Sequence, residues 1–209
     1  MTKFNQTYST DLKYTEWQQI SEFFPTFQMG RPPKWEKWQV INAILYVNRT
    51  GCQWRMLPVN FPPWRTVYFY YWSWQRDGVW QRINEVLVKK VRKKAGRNER
   101  PSAAVIASQS VKTSEGGEER GVDVHKQTPG RKRHLVVDVL GLVLLVVVHS
   151  ASIQDGAGGL LTLQKLFDHI KHNLHNRWCR LKLIWADGGY PSIIDAVRQR
   201  FGWTLQIVK

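Results

Sequence analysis

The chain has 209 residues, 43% hydrophobic and 22% charged, the balance of a folded protein of one or two domains, which excludes pervasive disorder. Thirty-one Lys and Arg against sixteen Asp and Glu give a net charge of +15, an excess that repels itself and ordinarily serves a polyanionic partner. Two cysteines, Cys52 and Cys179, exclude a disulfide framework and a four-cysteine zinc site, and a reducing compartment is expected. The first residues lack the apolar segment of a signal peptide, and the apolar run Leu140–Val148 is too short to cross a bilayer. A cytoplasmic protein without membrane contact is expected.

Charge and tryptophan divide the chain. Eight of the eleven tryptophans precede residue 81, and the basic run Lys89–Arg100 leads to Pro101. The first part reads as helices. Apolar spacing predicts a short helix over Thr15–Phe24, stopped at Pro25. A turn over Gly30–Trp35 leads to a helix from Trp35 to about Arg49, with Val40, Ile41, Ile44, Leu45 and Val47 as its stripe. A single turn at Trp54–Leu57 precedes a third helix from Trp64 or Thr66 to Asp77. Its Trp64, Tyr68, Tyr71 and Trp72 read as packing residues. A fourth helix over Trp80–Lys94 turns Trp80, Ile83, Val86, Leu87 and Val91 inward. Short helices joined by tight turns, with a basic aromatic third helix, suggest a helix-turn-helix arrangement in which Arg65, Tyr68 and Arg76 face DNA. Lys89, Lys90, Arg92, Lys93 and Lys94 form a candidate phosphate patch.

The second part alternates strands and helices. Strands are predicted at Ala103–Gln109, Val122–Val124, His134–Val139, Leu142–Ser150, Arg180–Ala186 and Trp203–Val208, with helices at Gly158–His172 and Ile193–Phe201. The polar stretch from Ser110 to Arg133 reads mostly as loop. A meander followed by crossover units is the order of a ribonuclease-H-like fold, which places carboxylates at strand ends for two-metal phosphodiester chemistry. Asp187, in a strand-end turn, and Asp138, in a strand before a Leu-Gly turn, are the candidate metal ligands. Lys112, Lys126, Arg131, Lys132 and Arg133 lie beside that region and are candidate DNA-backbone contacts. His134 reads as a positioned or exposed histidine. The repeated His169, His172 and His175 read as a solvated helix end. No phosphate-cradling glycine loop and no nucleophile elbow is present.

Five segments in order, Asn42–Pro58, Phe61–Tyr71, Ser108–Thr113 (SQSVKT), Gly130–Gly141 (GRKRHLVVDVLG) and Trp185–Tyr190 (WADGGY), resemble the IS5-type, or IS4-like, bacterial insertion-sequence transposases. The resemblance implies a mixed α+β, α/β chain: a helical, helix-turn-helix-like DNA-binding domain over residues 1–97 and an incomplete ribonuclease-H-like catalytic domain over 98–209. It further implies Asp-Asp-Glu chemistry with Mg²⁺ on double-stranded DNA of the transposon terminal inverted repeats, in a homo-oligomer at the bacterial nucleoid.

The second Asp of that pattern falls on Asp187. The first falls on Ala107, whose methyl group holds no metal. The Glu belongs to a later helix that the 209 residues do not reach. The expectation is a transposase that binds DNA ends without cutting them and binds Mg²⁺ weakly or not at all. The alternative is a non-catalytic regulator or an inactive remnant.

Overall fold

The computed structural model describes residues 6–25, 33–113, 119–172 and 180–208. Cys179, His175 and the start of the turn expected over residues 30–35 lie outside them. The chain divides into two compact units, Met1–Val86 and Leu87–Lys209.

The first unit is helical. Helix α1 spans Tyr14–Ile20 and continues as a 3₁₀ turn over Ser21–Phe23. Helix α2 spans Lys37–Thr50. It starts at a reciprocal cap between Glu36 and Gln39 and stops at Gly51, whose φ of 69° a side chain would disfavour. Val40, Ile41, Ile44 and Val47 form its buried stripe, as the spacing predicts. A 3₁₀ turn at Trp54–Met56 leads to α3, Trp64–Arg76, and then to α4, Val79–Lys94. The core is aromatic: Trp74, 3% exposed, lies 4.6 Å from Phe24 and 6.0 Å from Trp80 between ring centroids.

Two helix faces differ from expectation. Helix α3 buries Val67 and Trp74, while Tyr68, Phe69 and Trp72 are 45–60% exposed. Three aromatics on solvent exceed what packing requires. In α4 the buried line runs through Val79, Ile83, Val88 and Arg92, and Val91 is exposed. The stripe drifts because Arg92 finds a buried acidic partner and so takes an inward position that sequence assigns to an apolar residue.

The second unit is a six-stranded sheet: β1 Ala103–Lys112, β2 Gly121–Asp123, β3 Thr128–Asp138, β4 Val143–Ser150, β5 Leu183–Ala186 and β6 Thr204–Ile207. Strand β3 pairs antiparallel with β1, and β2 and β4 follow one another along its outer edge. Strand β1 pairs parallel with β5, and β5 with β6. A meander followed by two parallel strands, with β1 at the change of direction, is the ribonuclease-H-like order. Helices α5, Asp155–His172, and α6, Ile194–Phe201, cover one face, where Ile106, Val136, Leu163, Ile184 and Val197 form the core. The opposite face is more open: Val146 and Val148 are 44% and 51% exposed.

Strand β3 starts at Thr128, so the run Arg131–Arg133 is strand rather than loop. Its charges hid it, and the strand's alternation splits them between two faces. Helix α5 starts three residues earlier than its glycines suggest. A side chain at Gly158 would come within 2.5 Å of both His134 and His149, and one at Gly159 within 2.5 Å of Tyr190. The glycines weaken the helix but let its first turn settle on those rings.

Candidate active site and nucleic-acid face

The parallel register pairs Val105 of β1 with Trp185 of β5. Ala107 lies two residues further along β1, exposed and turned by alternation to the open face, and Asp187, also exposed, follows directly after β5 ends at Ala186. Here β5 ends while β1 continues beside β3, so the sheet splits. Asp187 is fixed by its own turn, with Oδ1 accepting the Gly189 N–H at 2.8 Å.

Asp138 does not join them. It pairs with Ala104, three residues from Ala107 toward the opposite end of the sheet, and lies on the helix-covered face, 1% exposed. Its Oδ2 receives Arg92 Nη1, and its Oδ1 accepts the Leu140 and Leu142 N–H groups, each at 2.9 Å. Both oxygens are committed, Oδ2 to Arg92 and Oδ1 to the β3–β4 turn, which corrects the metal-ligand assignment. No group of three or more His, Cys, Asp or Glu suited to a metal exists among the described residues. One turn-bound carboxylate beside a methyl group does not fit a two-metal centre.

The candidate DNA contacts separate in the same way. Arg131 and Arg133 share the open face with Ala107. Arg133 is exposed, and its Nε and Nη2 both donate to Gln109 Oε1, the Nε contact at 2.8 Å. Lys132 points the other way and is 3% exposed. Its ammonium donates to the Ile153 carbonyl at 2.9 Å and forms ion pairs with Asp155 Oδ1 at 2.8 Å and Asp123 Oδ2 at 3.0 Å. Lys132 is therefore not a backbone contact. Nor is Arg92, 4% exposed and held by Asp138 and the Asn98 carbonyl. Lys90, Lys93, Lys94 and Lys112 are exposed and Lys89 half-buried. Lys93 pairs with Glu99. In the first unit Arg65 and Arg76 are exposed and lie over the Trp64 and Trp72 rings at 5.5 and 4.9 Å, next to exposed Tyr68.

Behind the open face a polar cleft of about 440 Å³ is lined by Asp123, Lys126, Lys132, Asp155, Gly189 and Ser192. Lys126 Nζ reaches Ser108 Oγ at 3.4 Å and Asp155 Oδ2 at 3.8 Å. Burial raises the Asp123 carboxyl, but hydrogen bonds from Ser110, Lys132 and the Lys126 N–H outweigh it and hold the group well below the carboxylate range. Lys132, opposed by the same burial, is held above its ordinary value by Asp155 and Asp123. Sequence reasoning missed Asp155 and His149. An acid three residues ahead of a glycine-rich helix start was the available signal for the first.

His134 is fully buried, so of the two expectations, positioned or exposed, it is the positioned one that the structure holds. Its Nδ1 meets His149 Nε2 at 2.9 Å, its Nε2 meets the Asp155 carbonyl at 3.2 Å, and His149 Nδ1 meets the Ser150 carbonyl at 2.8 Å. Two neutral rings supply two N–H groups for three contacts, so satisfying all three requires one additional proton. Burial first, and then His149, push His134 down to about 4, which keeps the His134 ring neutral at pH 7. The unfolded chain takes up this proton near pH 6.5 and the folded chain only near 4. Stability from this residue is therefore complete above 6.5 and lost as pH falls toward and through 4. Melting temperature is expected to fall over that window, with a shallower slope in His134→Gln; equal slopes would contradict a neutral His134.

The sheet order is that of the ribonuclease-H-like fold, with Asp187 just beyond the end of the parallel strand β5. The family model for the transposase DDE domain matches residues 98–208, and one described as a transposase of the IS4/5 family matches residues 12–84. The chain belongs to the DDE transposase family, the enzymes of insertion-sequence transposition. No curated protein matches it. Among solved structures it is similar to the Mos1 transposase paired-end complex with left transposon end, at 10% identity and a TM-score of 0.33, over 91% of this chain and 65% of that one. The chain thus spans about two-thirds of that protein's length. No helix among the described residues is long and apolar enough to cross a membrane.

Proposed function

We propose that this chain binds transposon-end DNA and does not cut it. The family implies divalent-metal chemistry. The observation that carries the reading is that residue 107, on the first strand beside the end of β5, is an alanine, while Asp187 lies just beyond β5 and Asp138 is locked elsewhere. Asp187 is one of the three carboxylates the family's chemistry uses, and Mg²⁺ would be the cation a complete set serves.

Residues 1–97 are read as the DNA-binding domain. Helix α3 is the recognition helix, and its Arg65, Tyr68 and Arg76 are the exposed contacts. Residues 98–209 are read as a catalytic-type domain that keeps a basic surface without its metal centre. Double-stranded terminal repeats are the partner. A homo-oligomer holding two ends, at the bacterial nucleoid, completes the picture.

The test is equilibrium binding of the purified chain to a duplex carrying the element's end, beside a scrambled duplex, over a salt series. The expected result is preference for the end, with affinity falling steeply as salt rises. Equal, weak binding to both duplexes would leave only a basic surface and contradict end recognition.

A further inference from the structure

We infer that the hollow between the 3₁₀ turn at Trp54–Met56 and helix α3 takes an unpaired base of single-stranded DNA. The inference rests on the DNA-binding reading above and gives one part of that surface a ligand of its own. The hollow lies within the helical unit, has a volume of about 350 Å³, and is lined by Gln53, Trp54, Arg55, Trp64 and Tyr68. That size falls at the small end of the range for pockets that hold small organic groups. The sequence builds it locally. Trp64 and Tyr68 stand four residues apart on α3 and so share a face. Gly51 stops α2, and the turn that follows brings Trp54 against α3, its ring centroid 5.4 Å from that of Tyr68 and 5.2 Å from that of Tyr71.

Three features of the hollow match the three parts of a nucleotide. Its walls are aromatic, and Tyr68 is 45% exposed, a surface that a flat base covers by stacking. Gln53 is exposed, and its side-chain amide, which can both donate and accept, makes no hydrogen bond among the described residues, so it is open to a base edge. Arg55 is exposed, with its guanidinium 5.5 Å from the Trp64 ring centroid, and Arg65 lies at the same distance. From Gly51 to Arg76 the chain has three arginines and no Asp or Glu, so the guanidinium groups of Arg55 and Arg65 are available to a phosphate.

Charge and polarity select this ligand over others. A purely apolar ligand would cover Gln53 and Arg55 without giving them a partner, which is costly. A basic peptide finds no carboxylate here, and the net charge of +15 repels it. A duplex keeps its bases stacked on one another, so it offers phosphates to the arginines but no ring face to Tyr68. An unpaired nucleotide supplies ring, edge and phosphate together, and the transposase DDE domain in the same chain makes its strand DNA.

The test uses the full chain and three labelled probes over a salt series: a short single-stranded DNA, the same sugar-phosphate strand without bases, and the duplex carrying the element's end. Wild type is expected to bind the base-bearing strand about tenfold more tightly than the base-free one, with quenching of tryptophan fluorescence. Tyr68→Ala is expected to lose about tenfold on the base-bearing strand and nothing on the base-free one, while Tyr68→Phe, which keeps the ring, binds like wild type. Arg55→Gln is expected to weaken binding of both single strands and to reduce the salt slope by about 0.7. Equal affinity of wild type for the two single strands would overturn the inference without any variant. So would undiminished binding of the base-bearing strand by a Tyr68→Ala chain that melts like wild type, or tighter binding of an RNA strand of the same sequence. A wild-type chain that binds the duplex but treats both single strands alike contradicts only the base site; one that binds none of the three probes contradicts the DNA-binding reading itself.

Discussion

Lys132→Ala is expected to destabilise the Leu87–Lys209 unit by about 3–5 kcal/mol, whereas Arg131→Ala and Arg133→Ala each cost under about 1 kcal/mol. Consecutive residues of like charge thus give opposite results. Lys132 is 3% exposed and neutralises two carboxylates, Asp123, itself 4% exposed, and Asp155. Removing it leaves those charges in low dielectric, where the desolvation they suffered is no longer offset. The arginines lie on the open face. Denaturant melts followed by circular dichroism measure all three. The Lys132 deficit should shrink as pH falls, because protonating Asp123 and Asp155 removes the unpaired charge. It should also shrink when Asp123→Asn is added. A Lys132→Ala protein as stable as wild type would show that the ammonium is not held as described.

Loss of the Arg92–Asp138 pair is expected to be comparably severe, about 3–5 kcal/mol for Arg92→Ala. Both groups are at most 4% exposed. Asp138→Ala should cost at least as much, since it also frees the Leu140 and Leu142 N–H groups in the β3–β4 turn. Arg92→Lys should recover little. A lysine cannot reproduce the fork that serves Asp138 with Nη1 and the Asn98 carbonyl with Nε. A double-mutant cycle between Arg92 and Asp138 measures the coupling. A value near zero would mean the two groups are solvated separately. A large one explains why a basic helix end is kept from DNA.

Most elements were legible because their burial is one-sided. Helix α2 repeats apolar residues on one stripe, and β4 opens with an unbroken apolar run, Val143–Val148; both fold where the pattern puts them. The element order alone indicated the ribonuclease-H-like sheet. The errors share one cause: charged residues were read as solvated. Thr128–Arg133 is strand because Lys132 finds two acids inside while Arg133 reaches Gln109 outside. Arg92 and Asp138 are inside because they find each other across a separation of 46 residues. Such pairing is invisible to a pattern that ranks residues one at a time. The aromatics of α3 erred in the opposite sense. Tryptophan and tyrosine read as core by default, yet Tyr68 and Trp72 remain on the surface beside arginines.

The candidate site was legible at Asp187 and at the substitution of Ala107, because both stand in motifs. The partition of its cations was not, since alternation acts only once the strand is known to begin at Thr128.

The central claim is that this transposase-family chain engages DNA ends without breaking them. Its most direct measurement is product analysis of a labelled transposon-end duplex, incubated with excess purified chain in Mg²⁺ and in Mn²⁺ under conditions where binding is complete. The account predicts full occupancy and no nicked, cleaved or joined product in either metal. Metal-dependent product that survives repurification and disappears in Asp187→Ala would contradict it, and would mean that a carboxylate other than residue 107 completes the centre.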